Sequence, residues 1–153
     1  MASSTDTDDS LLDRLFAISG DESRQASAAD YQYVSSCLQH EREDIRERAI
    51  FVGGLRWMDK TFLGYFLGAL MLDLEVSEEN RRLMIECLVS SALERNFPSS
   101  SLIYLLGLIG SRADPQSLTA KATHVGIERL EGRMSKQQFA VLDYDEIVLP
   151  ARN

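Results

Sequence analysis

The chain has few cysteines, few histidines, few lysines and no long apolar run, and each shortage closes a class of explanation. Two cysteines in 153 residues cannot staple a disulfide scaffold or supply a cysteine-only zinc site. Cys37 and Cys87 each sit inside an apolar helical pattern and read as small buried hydrophobes, reduced as thiols are in the cytoplasm. Only 3 of the 16 basic residues are lysine, a compositional bias with no chemistry attached. The longest apolar stretches, Phe62 to Leu72 and Leu102 to Gly110, fall short of the ~18–20 residues a membrane span needs. Basic charge is also short: 24 acids against 16 bases leave a net charge of −8. A nucleic-acid binder normally shows a basic face instead. The first ten residues carry neither a basic start nor an apolar segment, so they do not read as a secretory signal. They are small, polar and acidic, and residues 1–10 are expected to be a disordered head.

What is present is a globular composition, 44% hydrophobic and 26% charged, at the length of one ordinary domain. Helical periodicity runs through nearly all of it. Expected helices cover Leu11 to Ile18, Asp30 to Gln39, Glu43 to Met58, Lys60 to Leu72, Glu78 to Arg95, Ser100 to Ile109 and Pro115 to Leu130. Asp30, Asp59, Ser77 and Asp114 are the expected caps, with proline at the first helical position after Asp114. Gly20 to Ala28 reads as a loop, and Pro98 as a break. Gly64 and Gly68 lie four apart, which suggests close packing along one groove. The helix beginning at Ser100 has almost no polar face and is expected to be central. Ser135 and Gln138 fit a capping box. Residues 133–153 form a capping helix or a tail, with Phe139 to Leu149 either helical or extended.

A shift of 39 residues sets Leu63, Tyr65, Leu67 and Gly68 on Leu102, Tyr104, Leu106 and Gly107. The same shift sets Arg42 on Arg81 and Arg56 on Arg95. Each unit would be a pair of helices that cannot bury its face alone, so neighbours must stack. The unit length and the stretch Glu43-Asp44-Ile45-Arg46-Glu47-Arg48-Ala49 resemble HEAT-type helical repeats over Asp30 to Leu130. The double glycine Gly53-Gly54 and a poorly matching third unit depart from that pattern. The resemblance implies an all-α fold: a short right-handed stack of antiparallel helix pairs, a HEAT-like α-solenoid of about seven helices over residues 11–132.

No catalytic set emerges. His40-Glu41-Arg42-Glu43-Asp44 begins like a zincin motif, but Asp44 stands where the second histidine belongs. His124 reads as a helix-face residue. A phosphate loop, a Gly-x-Ser-x-Gly elbow and a calcium loop are missing, so neither an enzyme nor a cofactor or metal is expected. The acids carry more information. Residues 41–47 hold Glu41, Glu43, Asp44 and Glu47 against two bases; residues 73–79 hold Asp73, Glu75, Glu78 and Glu79 against none. Acids favour helix N-termini by ~0.3–1 kcal/mol each, but four without a base exceed what capping requires. In a stack, both turns would lie on one edge and form an acidic ridge. These eight residues are the candidate partner-binding set, and the expected partner is a basic protein. In size, charge and lack of chemistry the chain looks like the all-helical immunity proteins of polymorphic or contact-dependent toxin systems. That resemblance implies a cytoplasmic antitoxin covering a cationic toxin domain, such as a nuclease. The alternative is a HEAT-like adaptor that takes a peptide or helix in its concave face.

Overall fold

A computed structural model describes residues 4–21, 26–95 and 99–151, with side chains from Thr7 onward. Among the described residues all regular structure is helical: eight α-helices, one π turn and one 3-10 turn, with no strand. The helices are α1 (Ser4–Ser19), α2 (Ala28–Cys37), α3 (Glu43–Phe51), α4 (Lys60–Met71), α5 (Glu78–Arg95), α6 (Ser100–Arg112), α7 (Leu118–Leu130) and α8 (Lys136–Ala140). They form two compact units, Met1–Tyr65 and Phe66–Asn153, and the boundary falls inside α4. No helix of the described residues is long and apolar enough to cross a membrane. Parts of the expected loop after Gly20, and the expected break at Pro98, lie outside the described residues.

Short polar side chains cap the starts of α2, α4, α5, α7 and α8. One Asp59 carboxylate oxygen accepts the amides of Thr61 and Phe62 at 3.0 and 3.1 Å. Ser77 Oγ accepts the Asn80 amide at 3.2 Å, and Ser135 with Gln138 completes the capping box. Each such cap is worth ~1 kcal/mol. Two starts differ from expectation. Ser27, not Asp30, caps α2. At α7 the cap is Ser117, because Asp114-Pro115-Gln116 folds into a turn of its own. Gln116 takes φ +65° and the Ser117 amide donates to the Asp114 carbonyl at 3.0 Å, as in a type II turn with proline at its second position. The first helix corrects the expected disordered head: α1 opens at Ser4. Asp8 meets His40 Nε2 at 3.2 Å and Asp9 meets Arg42 at 3.0 Å, which ties that start down.

In the first unit, α1 and α2 both pack on α3. Leu15, Val34, Ile45, Ile50, Val52 and Phe62 are almost completely buried there; each full burial contributes ~1.5–3 kcal/mol. The expected long third helix stops at Phe51 and widens into a π turn over Val52–Arg56. Gly53 explains the site of the widening. A Cβ there would stand 2.1 Å from Cδ1 of Phe62, so the ring lies directly against backbone. Tyr31, Trp57 and Phe62 then form one aromatic cluster, with centroids 5.3–6.1 Å apart.

In the second unit, α7 packs on both α5 and α6. Its buried face is small (Ala120, Ala122, Thr123, Gly126), which lets the helices approach. A Cβ on Gly126 would stand 2.9 Å from Val89 Cγ2. α5 buries residues on several faces and is the central helix. α6 is not central: only Leu106 and Ile109 are buried, because one neighbour covers one stripe and the remaining apolar side chains stay partly open. Gly64 and Gly68 do not mark close packing either, since no described atom beyond the adjoining residues and helix backbone lies within 4 Å of a Cβ placed on either. The C-terminal segment is a short helix and a strap. Tyr144 donates to Glu86 at 2.7 Å. The Gln116 amide side chain holds Leu149 by its N–H and carbonyl at 3.0 and 2.9 Å. The Arg129 guanidinium lies 3.7 Å from the Phe139 ring centroid.

Candidate partner-binding surface

The eight candidate acids fall four to each unit. In the first unit, the turn before α3 is clipped at its surface. Arg42 donates to both oxygens of Asp44 at 3.0 and 2.6 Å and to Asp9 at 3.0 Å. Those hydrogen bonds hold the Asp44 carboxyl below the usual carboxylate range and raise the guanidinium. Glu43 is exposed in the first turn of α3. Glu41 and Glu47 are exposed and form no ion pair among the described residues. Arg46 donates to the carbonyls of His40 and Glu41, which otherwise lack helical partners. Both ring nitrogens of His40 are engaged: Nδ1 accepts the Arg42 amide at 3.0 Å and Nε2 meets Asp8. The imidazole is a structural tie between α1 and the turn.

In the second unit, the turn between α4 and α5 is built differently. Asp73 sits at φ +56°, a conformation a short polar side chain tolerates. The Arg81 side chain, 12% exposed, lies beneath the turn. It donates to Asp73 at 3.1 Å, to the Glu75 carbonyl at 3.3 Å and to Thr119 Oγ1 at 3.2 Å. Glu75 is 5% exposed, and its carboxylate accepts the Ser77 amide and Asn80 Nδ2 at 3.1 Å each. It therefore caps the helix from inside and is not presented to a partner. Glu78 accepts the Thr119 amide at 2.8 Å and the Thr119 hydroxyl, so it ties α5 to α7. Glu79 pairs with Arg82 at 3.2 Å, and Arg82 with Glu86 at 2.7 Å. The carboxylates that remain directed outward are Asp73 and Glu79, whose side chains are 75% and 65% exposed.

Three aliphatic residues stand beside them, Leu72 before Asp73 and Leu74 and Val76 between Asp73 and Glu79. Leu72, Leu74 and Val76 are 71%, 62% and 83% exposed. Their signal was present as Leu-Asp-Leu-Glu-Val, three aliphatics in a turn where a solvated loop would carry polar residues. Single exposed aliphatics need no explanation, but a cluster rimmed by polar groups marks an interaction surface. The first unit carries a different concavity. Tyr31, Ser35, Leu38, Gln39, Thr61 and Tyr65 line an uncharged groove of about 140 Å³ between α2 and the start of α4.

Burial pushes the Cys87 and Cys37 thiols up, away from the reactive thiolate. Burial, then the neighbouring Glu86 carboxylate, raises the Tyr144 phenol as well. No group of three potential metal ligands converges among the described residues. Comparison with known proteins found no family model, no curated protein and no solved structure that matches the chain.

Proposed function

We propose that the chain is a non-catalytic protein-binding module that uses the turn 72–79 to hold a basic partner, and that the partner is a cationic toxin domain which the chain neutralises as an immunity protein. The observation that carries the reading is the aliphatic cluster Leu72, Leu74 and Val76 set among the outward carboxylates of Asp73 and Glu79, with the Arg81 guanidinium tucked beneath. Apolar area supplies affinity there, and exposed carboxylates steer a cationic surface into register. The architecture in this reading is a short right-handed stack of HEAT-like helix pairs. Its support is local: in each unit a helix packs on the two that precede it, α3 on α1 and α2, α7 on α5 and α6. The two buried thiols suit a cytoplasmic setting.

The test is functional first. The gene product encoded beside this chain should be toxic alone and harmless on co-expression. Calorimetry on the pair then locates the contact. Asp73→Asn with Glu79→Gln should weaken binding by ~10-fold or more and flatten its salt dependence. Leu74→Ser with Val76→Ser should weaken it without changing that dependence. Unchanged binding in both variants would remove the turn from the interface. A second reading is favoured by the groove of the first unit: an adaptor that takes an uncharged peptide or helix between α2 and α4. Tyr65→Ala would abolish that binding and leave turn-72–79 binding intact.

A further inference from the structure

The π turn places two cationic side chains over one ring. Arg48 and Arg56 are eight residues apart, which in an uninterrupted α-helix of ~3.6 residues per turn would put them on diverging faces. The wider turn at Val52–Arg56, closed by the Trp57 amide on the Val52 carbonyl at 2.9 Å, absorbs the excess residue. Both side chains then fall on the same side. The Arg48 guanidinium lies 4.9 Å and that of Arg56 5.6 Å from the centroid of Phe51. Arg48 is also 4.3 Å from the ring of Phe16, which is 48% exposed.

Among the described residues neither guanidinium has a carboxylate partner. Arg14, Arg42, Arg81, Arg82 and Arg133 all pair with acids; Arg48 and Arg56 make no ion pair or hydrogen bond among the described residues. In a chain with 24 acids and 16 bases, acid was not lacking. Two like charges share one ring, each within cation-π range of it, and Arg56 Nε is buried without a hydrogen-bond partner among the described residues; a guanidinium with no acceptor keeps its fork of donors unused. Such a fork fits a carboxylate in two parallel hydrogen bonds.

We propose that Arg48 and Arg56 receive a carboxylate of a partner protein segment, with an apolar neighbour of that carboxylate packing on the exposed edge of Phe16. The surroundings select this occupant over a phosphate polymer. Glu43, Asp44 and Glu47 stand on the same helix, and residues 1–50 carry 11 acids against 5 bases. A polyanion meets that field along its length, whereas one carboxylate on an apolar segment meets only the two arginines. These residues belong to the first unit and the turn 72–79 to the second, and the proposal does not depend on the reading given above.

The test is an NMR titration of the full chain, observing arginine side-chain resonances. The probes are acetylated Leu-Glu-Phe-Glu amide, the same peptide with both Glu replaced by Gln, inorganic phosphate, and a short oligothymidylate. The Glu peptide should shift Arg48 and Arg56 saturably and leave Arg112 unmoved, and the other three should shift neither. Arg56→Gln should reduce the affinity by ~5-fold or more; Arg112→Gln should not. Arg48 braces two rings, so Arg56→Gln, with a single cation-π contact, keeps the test meaningful if Arg48→Gln fails to fold. The proposal is overturned by no saturable shift, by an equal response to the Gln peptide, or by a stronger response to phosphate or oligothymidylate. It is equally overturned if sedimentation shows that Arg56→Gln acts only by dispersing a self-associated form, since the occupant would then be a second copy.

Discussion

Arg42 and Arg81 hold the same place in the 39-residue register, each near the start of a helix that follows an acid-rich turn. Arg42 works outward, bridging Asp44 and Asp9 at the surface. Arg81 works inward, its side chain 12% exposed and spread over Asp73, a backbone carbonyl and Thr119. One turn is a surface clip, and the other is a braced corner that can expose aliphatics without unwinding. The difference teaches that acid content does not measure the charge a turn presents. What counts is where the compensating cation lies, because a covered guanidinium leaves its carboxylates facing water while an exposed one competes for the same partner.

Substitutions should separate the two turns in a graded way. The largest effect is expected for Arg81→Ala, which strands Asp73, the Glu75 carbonyl and Thr119 together; a loss of about 2–3 kcal/mol in urea unfolding is expected. Glu75→Ala comes next at about 1–2 kcal/mol, since the Ser77 amide and Asn80 side chain lose their acceptor. If Glu75→Ala were neutral while weakening the partner complex, the carboxylate would face outward after all. Tyr144→Phe removes one hydrogen bond, worth about 0.5–1.5 kcal/mol, and also changes the pH response. The folded phenol titrates above its unfolded value, so its contribution is fully present below pH ~10 and is lost as pH rises further. Ultraviolet titration should show one late-ionising tyrosine that disappears in the variant.

Arg42→Ala should be the mildest at neutral pH, and its signature is acidic. The folded Asp44 carboxyl is depressed, so its contribution is present above the ordinary carboxylate range and is lost as pH falls through the folded value. Unfolding midpoints followed below pH ~4 should decline less steeply in the variant than in the parent chain.

What could be read in advance was local. Asp59, Ser77 and Ser135 announced their helices because a cap contacts amides two or three residues ahead. The order of the first seven helices followed from periodicity, whereas the segment after Ser135 reads equally as a helix or a tail and is the eighth helix. Features that depend on a distant partner were illegible. Glu78 reads as a surface acid until Thr119, 41 residues away, is found against it. The apolar run of α6 showed what could be buried, not that packing on α7 would leave most of it partly open. Gly53 looked like a weakness in a helix, yet it is the position where Phe62 meets backbone and the helix widens. The acids in the candidate set were visible by composition; the aliphatics beside them matter only because the turn leaves them uncovered.

The most direct test of the proposed interface is a calorimetric titration of the neighbouring gene product with the parent chain and with a quadruple variant, Asp73→Asn, Leu74→Ser, Val76→Ser and Glu79→Gln. A folded variant that binds at least ~100-fold more weakly and no longer rescues growth is the expected result. Full affinity and full rescue in that variant would contradict the assignment of the turn as the contact surface.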